Sequence, residues 1–195
     1  AGEVMLTFDD GPDREYTQEL LDLLRETGVK ATFFVLAEKA AASPDILERM
    51  TQEGHDVALH GTKHVNHWYQ SPWSVKRNLE RGKALLKAQG VTPAYYRPPY
   101  GNLNLAVLYY AKKNGLQIML WSVMAQDWRK GMTPEEIRGR LEKRTRDGSI
   151  ICLHDSGEGS AAPGGPERTI QALRRFLPDM KEEGYRFLLP GEAGL

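Results

Sequence analysis

The 195-residue chain has a single cysteine, Cys152, so it cannot form an internal disulfide, and its cysteine content says nothing about redox compartment. Net charge is also missing, because 26 basic residues balance 26 acidic ones. That balance argues against a partner held mainly through bulk charge, such as a nucleic-acid backbone or an anionic membrane, and suits a neutral substrate. No apolar run approaches the roughly 20 residues of a membrane helix, so membrane insertion is not expected. The first residues lack the charged and apolar regions of a secretory leader. The strand-like run Val4-Met5-Leu6-Thr7-Phe8 follows almost at once, as expected of an excised domain or a mature form. Without a repeat or a composition break, the expectation is one domain over residues 1–195, burying about 70% of its extended surface.

With 41% hydrophobic and 27% charged residues, the chain has the composition of a folded globular protein. Apolar runs recur at Val4–Phe8, Ala31–Leu36, Val57–His60, Tyr95–Arg97, Leu116–Trp121, Ile150–Leu153 and Tyr185–Leu189. Their apolar residues are consecutive rather than alternating, the pattern of parallel strands covered on both faces. Between them lie helical spacings closed by Gly28, Gly54 and Gly90, and Ser43-Pro44 and Thr133-Pro134 read as helix starts. Pro178 should bend or end the last helix, and Asp155 to Pro166 reads as a long irregular loop. About seven strands alternating with helices predict an α/β fold. A distorted or incomplete (β/α) barrel fits best, with a doubly wound open sheet as the alternative.

In either architecture chemistry belongs at the C-terminal ends of the strands. Asp9-Asp10, His60 and His64, Arg97, Asp127-Trp128 and His154-Asp155 all follow predicted strands. Adjacent carboxylates at Asp9-Asp10 repel, and a cation would relieve them; a turn-and-cap role is the plainer alternative. In His60-Gly61-Thr62-Lys63-His64 two imidazoles four residues apart can share one face. One Asp with two His supplies three ligands and leaves an open position, the arrangement of a catalytic metal. His154, ending a buried strand, suits acid/base work. His55 falls at the far end of its strand, where a structural role is expected. His67 competes with His64 as a ligand, but flanking Trp68-Tyr69 suggests a surface patch. Cys152 reads as a small packed hydrophobe.

Five stretches, in order along nearly the whole chain, resemble the NodB-homology polysaccharide deacetylases, the catalytic domain of carbohydrate esterase family 4. They are Thr7-Phe8-Asp9-Asp10-Gly11-Pro12, His60 to His64, Arg97-Pro98-Pro99-Tyr100-Gly101, Trp121 to Trp128, and Ile151-Cys152-Leu153-His154. The resemblance implies that Asp10, His60 and His64 bind a divalent metal, zinc first and cobalt or another divalent ion next. It implies that Asp9 is the general base and His154 the general acid, with Arg97 bonded to Asp9 and held in turn by Asp127. The Tyr100 backbone N–H would bind the oxyanion, while Trp128 and Leu153 would contact substrate. The implied substrate is an acetylated polysaccharide of peptidoglycan or chitin type, handled by a monomer outside the cell or in its envelope. Alternatives are an O-acetyl xylan esterase of the same family and a silent glycan-binding module. Two departures bear on the last: Met124 stands where the family's fourth motif has an acid, and Gly61 where a Ser or Thr is usual. Trp68, Tyr69, Trp73, Tyr96 and Trp128 are further candidates to stack on sugar faces, with core burial equally expected for Trp73 and Tyr96.

Overall fold

The computed structural model describes residues 2–157 and 164–194. Their strands form one sheet in which all pairings are parallel. In chain order the elements are β1 (Glu3–Asp9), α1 (Thr17–Thr27), β2 (Thr32–Leu36), α2 (Ala37–Ala42), α3 (Pro44–Gln52), β3 (Asp56–Gly61), α4 (Pro72–Ala88), β4 (Tyr95–Tyr96), α5 (Leu105–Lys113), β5 (Gln117–Ile118), β6 (Val123–Met124), α6 (Pro134–Arg144), β7 (Ser149–His154), α7 (Gly165–Glu182) and β8 (Arg186–Phe187). Seven strands run in the order β5-β4-β3-β2-β1-β7-β6, and β8 pairs with the start of β1. Six consecutive residues of β1 and all five of β2 are buried, as strands covered on both faces require.

The sheet curls into a half-barrel. Its two edge strands, β5 and β6, are only residues 119–122 apart along the chain, so this short link spans the open side. Of the predicted strand Leu116–Trp121 only Gln117–Ile118 is strand, and β6, at the opposite edge, begins beyond it at Val123. Strand alternation sorts the side chains between faces. Leu6, Phe8, Phe33, Leu59, Tyr96, Ile151 and Leu153 join the helices in the main core. Met5, Phe34, Ala58, Tyr95 and Met119 form a smaller cluster on the concave face, beneath the polar groups described below.

Helix ends follow the sequence signals unevenly. Thr133 makes a capping box with Glu136, whereas Ser43, although it precedes Pro44, makes no side-chain cap bond. Gly28 closes α1 at φ 66°, in the left-handed region. The last helix does not end at Pro178: α7 runs through it to Glu182, because buried Phe176, Leu177 and Met180 dock both sides of the proline onto the core. Helix α7 begins at Gly165, so the irregular segment ends before Pro166; residues 158–163 of it lie outside the described part. None of the described helices is long and apolar enough to cross a membrane.

Candidate metal centre and active site

Register alone places two of the candidate residues together. Asp9 ends β1, His154 ends β7, and the two are direct partners across the parallel ladder. Both side chains therefore rise from the concave face at one level, above Thr7 and Cys152 one pleat below. His60 stands on the same face near the end of β3, and Arg97 follows β4, its backbone N–H bonded to Leu59 O.

Asp10, His60 and His64 present ligand atoms within 4.8 Å of one another. The Nε2 atoms of His60 and His64 lie 3.3 and 3.4 Å from Asp10 Oδ1. Both Asp10 oxygens are buried without a hydrogen-bond partner, and the residue sits at φ 80°, a strained setting for an aspartate. His60 Nδ1–H donates to Arg97 O at 2.7 Å, which fixes the tautomer and leaves the Nε2 lone pair facing Asp10. Burial opposes ionisation of Asp10, yet its contact with His60 and the other nearby imidazoles hold its pKa well below the usual carboxylate range. Burial is also the main influence on His64 and lowers its pKa, so it stands neutral as a ligand must. An ionised, orphaned carboxylate between two imidazole nitrogens is a donor set that fits a divalent cation. His67 is not part of it. It is buried in a 3₁₀ turn with Nε2 2.7 Å from the Tyr96 hydroxyl, so only its neighbours Trp68 and Tyr69 form a surface patch.

Asp9 is not in the ligand set. Arg97, fully buried, donates to Asp9 Oδ1 and Thr7 Oγ1 at 2.7 Å each. It also donates to Met119 O at 3.1 Å and Leu120 O at 3.0 Å, so the guanidinium spans the gap between the sheet edges and the carboxylate. Its face lies 3.9 Å from the Phe34 ring centroid. Cys152, expected only to fill space, directs its S–H at Asp9 Oδ2 over 3.4 Å.

Asp127 does not hold Arg97, as the family resemblance implied. It faces His154 instead: Oδ1 accepts from His154 Nδ1 at 2.9 Å, and Oδ2 accepts from the His154 backbone N–H at 2.9 Å and from Thr169 Oγ1 at 3.0 Å. Burial disfavours the imidazolium, but the Asp127 carboxylate overrides it, with Asp10 and Asp9 adding to the effect, and the His154 pKa is pushed up to about 9. His154 therefore carries its proton at neutral pH. Thr169, from α7, escaped the sequence reading; a threonine inside a helix gives no signal of what it bonds.

The remaining candidates separate clearly. Trp128 is half-buried next to Asp127, and Tyr100 is exposed at φ 60°, its ring edge-on to that of His64 with centroids 4.5 Å apart. Leu153 is displaced from its expected place: alternation along β7 turns it to the helix-covered face with Phe8, away from His154. Tyr96 is core, whereas Trp73 stands exposed. Gly61 has φ 110°, and Asn78 Oδ1 lies 2.6 Å from where a Cβ would be; the loop's bracing comes from Thr62, whose hydroxyl donates to Asn78 O at 2.7 Å. At Met124 the backbone is held from α6, with Arg144 donating to its carbonyl at 2.9 Å.

Residues 1–119 match the family model described as polysaccharide deacetylase. A peptidoglycan-N-acetylglucosamine deacetylase of Bacillus cereus is 35% identical over 97% of this chain and 86% of its own. A chitooligosaccharide deacetylase of Sinorhizobium fredii is 35% identical over 95% and 88%. A family 4 acetyl xylan esterase from Clostridium thermocellum, solved in complex with a cobalt ion, superposes with a TM-score of 0.87 at 31% identity, covering 97% of this chain and 89% of that one. On the match of sequence, fold and motif order, the chain belongs to the NodB-homology polysaccharide deacetylases of carbohydrate esterase family 4.

Proposed function

We propose that the chain is a metal-dependent hydrolase that removes acetyl groups from N-acetylglucosamine units of a polysaccharide, of peptidoglycan or chitin type, and releases acetate. The observation that carries this reading is the pairing of an orphaned Asp10–His60–His64 donor set with an acid and a base on adjoining strands. Two relatives named for N-acetylglucosamine glycans and a cobalt-bearing structural neighbour support it. A glycan of this kind also implies action outside the cell or in its envelope.

Asp10, His60 and His64 would hold the metal, zinc first and cobalt or another divalent ion next. Bound there, it supplies a Lewis acid for the amide carbonyl and lowers the pKa of water. Asp9, oriented by Arg97, accepts a proton from the attacking water at its carboxylate. His154 enters the cycle protonated and donates from Nε2 to the departing amine, sparing the expulsion of an amide anion, while Asp127 holds the ring by Nδ1 and stabilises its charge. The Tyr100 backbone N–H is the candidate oxyanion donor, and Trp128 borders the acetyl group.

Acetate release from chitooligosaccharide is expected to stop on chelation and return with zinc or cobalt; release that survives both EDTA and Asp10→Ala overturns the reading. The likeness to an acetyl xylan esterase favours O-acetyl esters as a second substrate class. Parallel assays on acetylated xylan and chitooligosaccharide rank the two.

A further inference from the structure

Eight large hydrophobic side chains stand exposed among the described residues, and seven of them fall in residues 68–73 and 100–109. Trp68 is 65% exposed, Tyr69 86% and Trp73 69%. Leaving such rings in water forgoes about 1.5–3 kcal/mol each, and a cluster of them marks a binding surface.

The two stretches are one surface. Asn102 Nδ2 donates to Asn66 Oδ1 at 2.9 Å, and Asn104 Nδ2 donates to His67 O at 2.8 Å. These bonds seat the 3₁₀ turn His67–Tyr69 on the segment that caps α5. Tyr100, edge-on to His64, ties the surface to the metal-ligand set. Ser71 caps α4 and starts the helix on which Trp73 stands, with Lys76 Nζ 5.1 Å from the Trp73 ring centroid.

Its chemistry narrows the occupant. Residues 65–73 and 98–109 hold no Asp, Glu, Lys or Arg, although such residues make up 27% of the chain. Buried His67 is kept neutral, its pKa lowered to about 4 chiefly by burial. An anionic lipid surface or an acidic peptide would find cations only at the margin, Lys76 beside Trp73 and Lys113 beside Tyr109, and none among the exposed rings of Trp68, Tyr69 and Tyr100. A glycan presents apolar C–H faces to aromatic rings and hydroxyls to amides such as Asn66 and Gln70.

We propose that Trp68 and Tyr69, continued by Trp73, form a stacking track for the sugar units flanking the one bound at the metal centre, so that the enzyme selects long chains over short ones. This rests on the N-acetylglucosamine reading above and extends it. The test compares kcat/KM on chitohexaose and chitobiose. The wild-type ratio is expected to be well above one and to fall about tenfold in the Trp68→Ala/Tyr69→Ala double variant, mainly through KM, the loss expected from about 1.4 kcal/mol of contact. Trp68→Phe should keep most of the ratio. Retention on insoluble chitin, which needs no turnover, should weaken in parallel. An unchanged ratio with unchanged retention overturns the track while acetate release sustains the activity. Absence of acetate release from either glycan overturns the activity, and retention then decides the track by itself. Concentration-dependent dimerisation abolished by Trp68→Ala would assign the surface to a second copy and overturn the proposal.

Discussion

His154 and His55 are buried imidazoles at opposite ends of the sheet, and burial pushes both toward neutrality. Where β3 begins, His55 Nδ1 accepts the Ala31 N–H at 3.2 Å, its ring meets Phe33 edge-on, and burial aided by the Lys30 charge lowers its pKa to about 4. At the other end Asp127 reverses the effect of burial and holds His154 up to about 9. One residue type thus carries opposite charge states at neutral pH: Glu53, 3.9 Å from His55 Nε2, pulls that imidazole upward but is outweighed by burial and the Lys30 and Arg49 charges, whereas Asp127, hydrogen-bonded to His154, outweighs burial. Around His154 the molecule keeps ionised groups and an orphaned Asp10. Around His55 it keeps an uncharged ring that packs.

The sharpest way to break this contrast is Asp9→Asn. It should cut kcat by about 10³-fold, within the range for loss of a general base, while metal content stays near wild type because Asp9 lies outside the ligand set. Asp10→Ala should lose the metal as well. Measuring acetate release and metal content on the same samples separates the two, and full activity in Asp9→Asn would return that carboxylate to a turn-and-cap role.

Arg97→Met tests whether the same end of the sheet depends on paired charge for stability. It strands Asp9 in a buried site, a change expected to cost about 3–5 kcal/mol, and thermal unfolding should show a fall of roughly 10 °C for a chain of this size. A negligible shift would mean that water reaches Asp9 freely.

Asp127→Asn acts on charge state more than on stability. Activity that needs protonated His154 is present below its pKa and is lost as pH rises through it, near 9; a cation held by Asp10 would draw that limb lower. Replacing the carboxylate removes the influence that raises the pKa, so the limb should move toward acid and kcat at pH 8 should fall by about 10²-fold. An unmoved limb would assign it to another group. His55→Gln, at the far end, should leave that limb in place.

Much of the fold was legible because β1, β2 and β7 carry several consecutive apolar residues, and a long period is hard to mistake. Strands β5 and β6 have two residues each, too few for any period, so their division between opposite edges was invisible. The clustering of Asp10, His60 and His64 was legible because Asp9-Asp10 follows directly on β1 and His60 falls at the end of β3, with His64 four residues on. The partner of Asp127 was not, because sequence order says which residues reach the site and nothing about which atoms meet there. Leu153 illustrates a finer loss: neighbouring residues of one motif point to opposite faces, and a shared motif does not imply a shared pocket. Cys152 beneath Asp9 and Thr169 behind Asp127 are contacts that only the register of β7 and the docking of α7 create.

The smallest effect sharpens the comparison from the His55 end. His55 in the unfolded chain titrates near 6.5, whereas in the folded chain it resists protonation down to about 4. As pH falls through this window the unfolded state binds the proton first, so the group's contribution to stability is intact above 6.5 and declines toward 4. His67 acts in the same direction, while Asp155, raised to about 7 mainly by burial, opposes it across this window. The difference between wild type and His55→Gln cancels both. The variant should be less stable than wild type at pH 7.5, having lost the packed ring and the bond to Ala31, and that deficit should shrink by about 2 kcal/mol by pH 4.5 in denaturant unfolding. A deficit independent of pH would show that His55 titrates alike folded and unfolded, and would erase the contrast with His154.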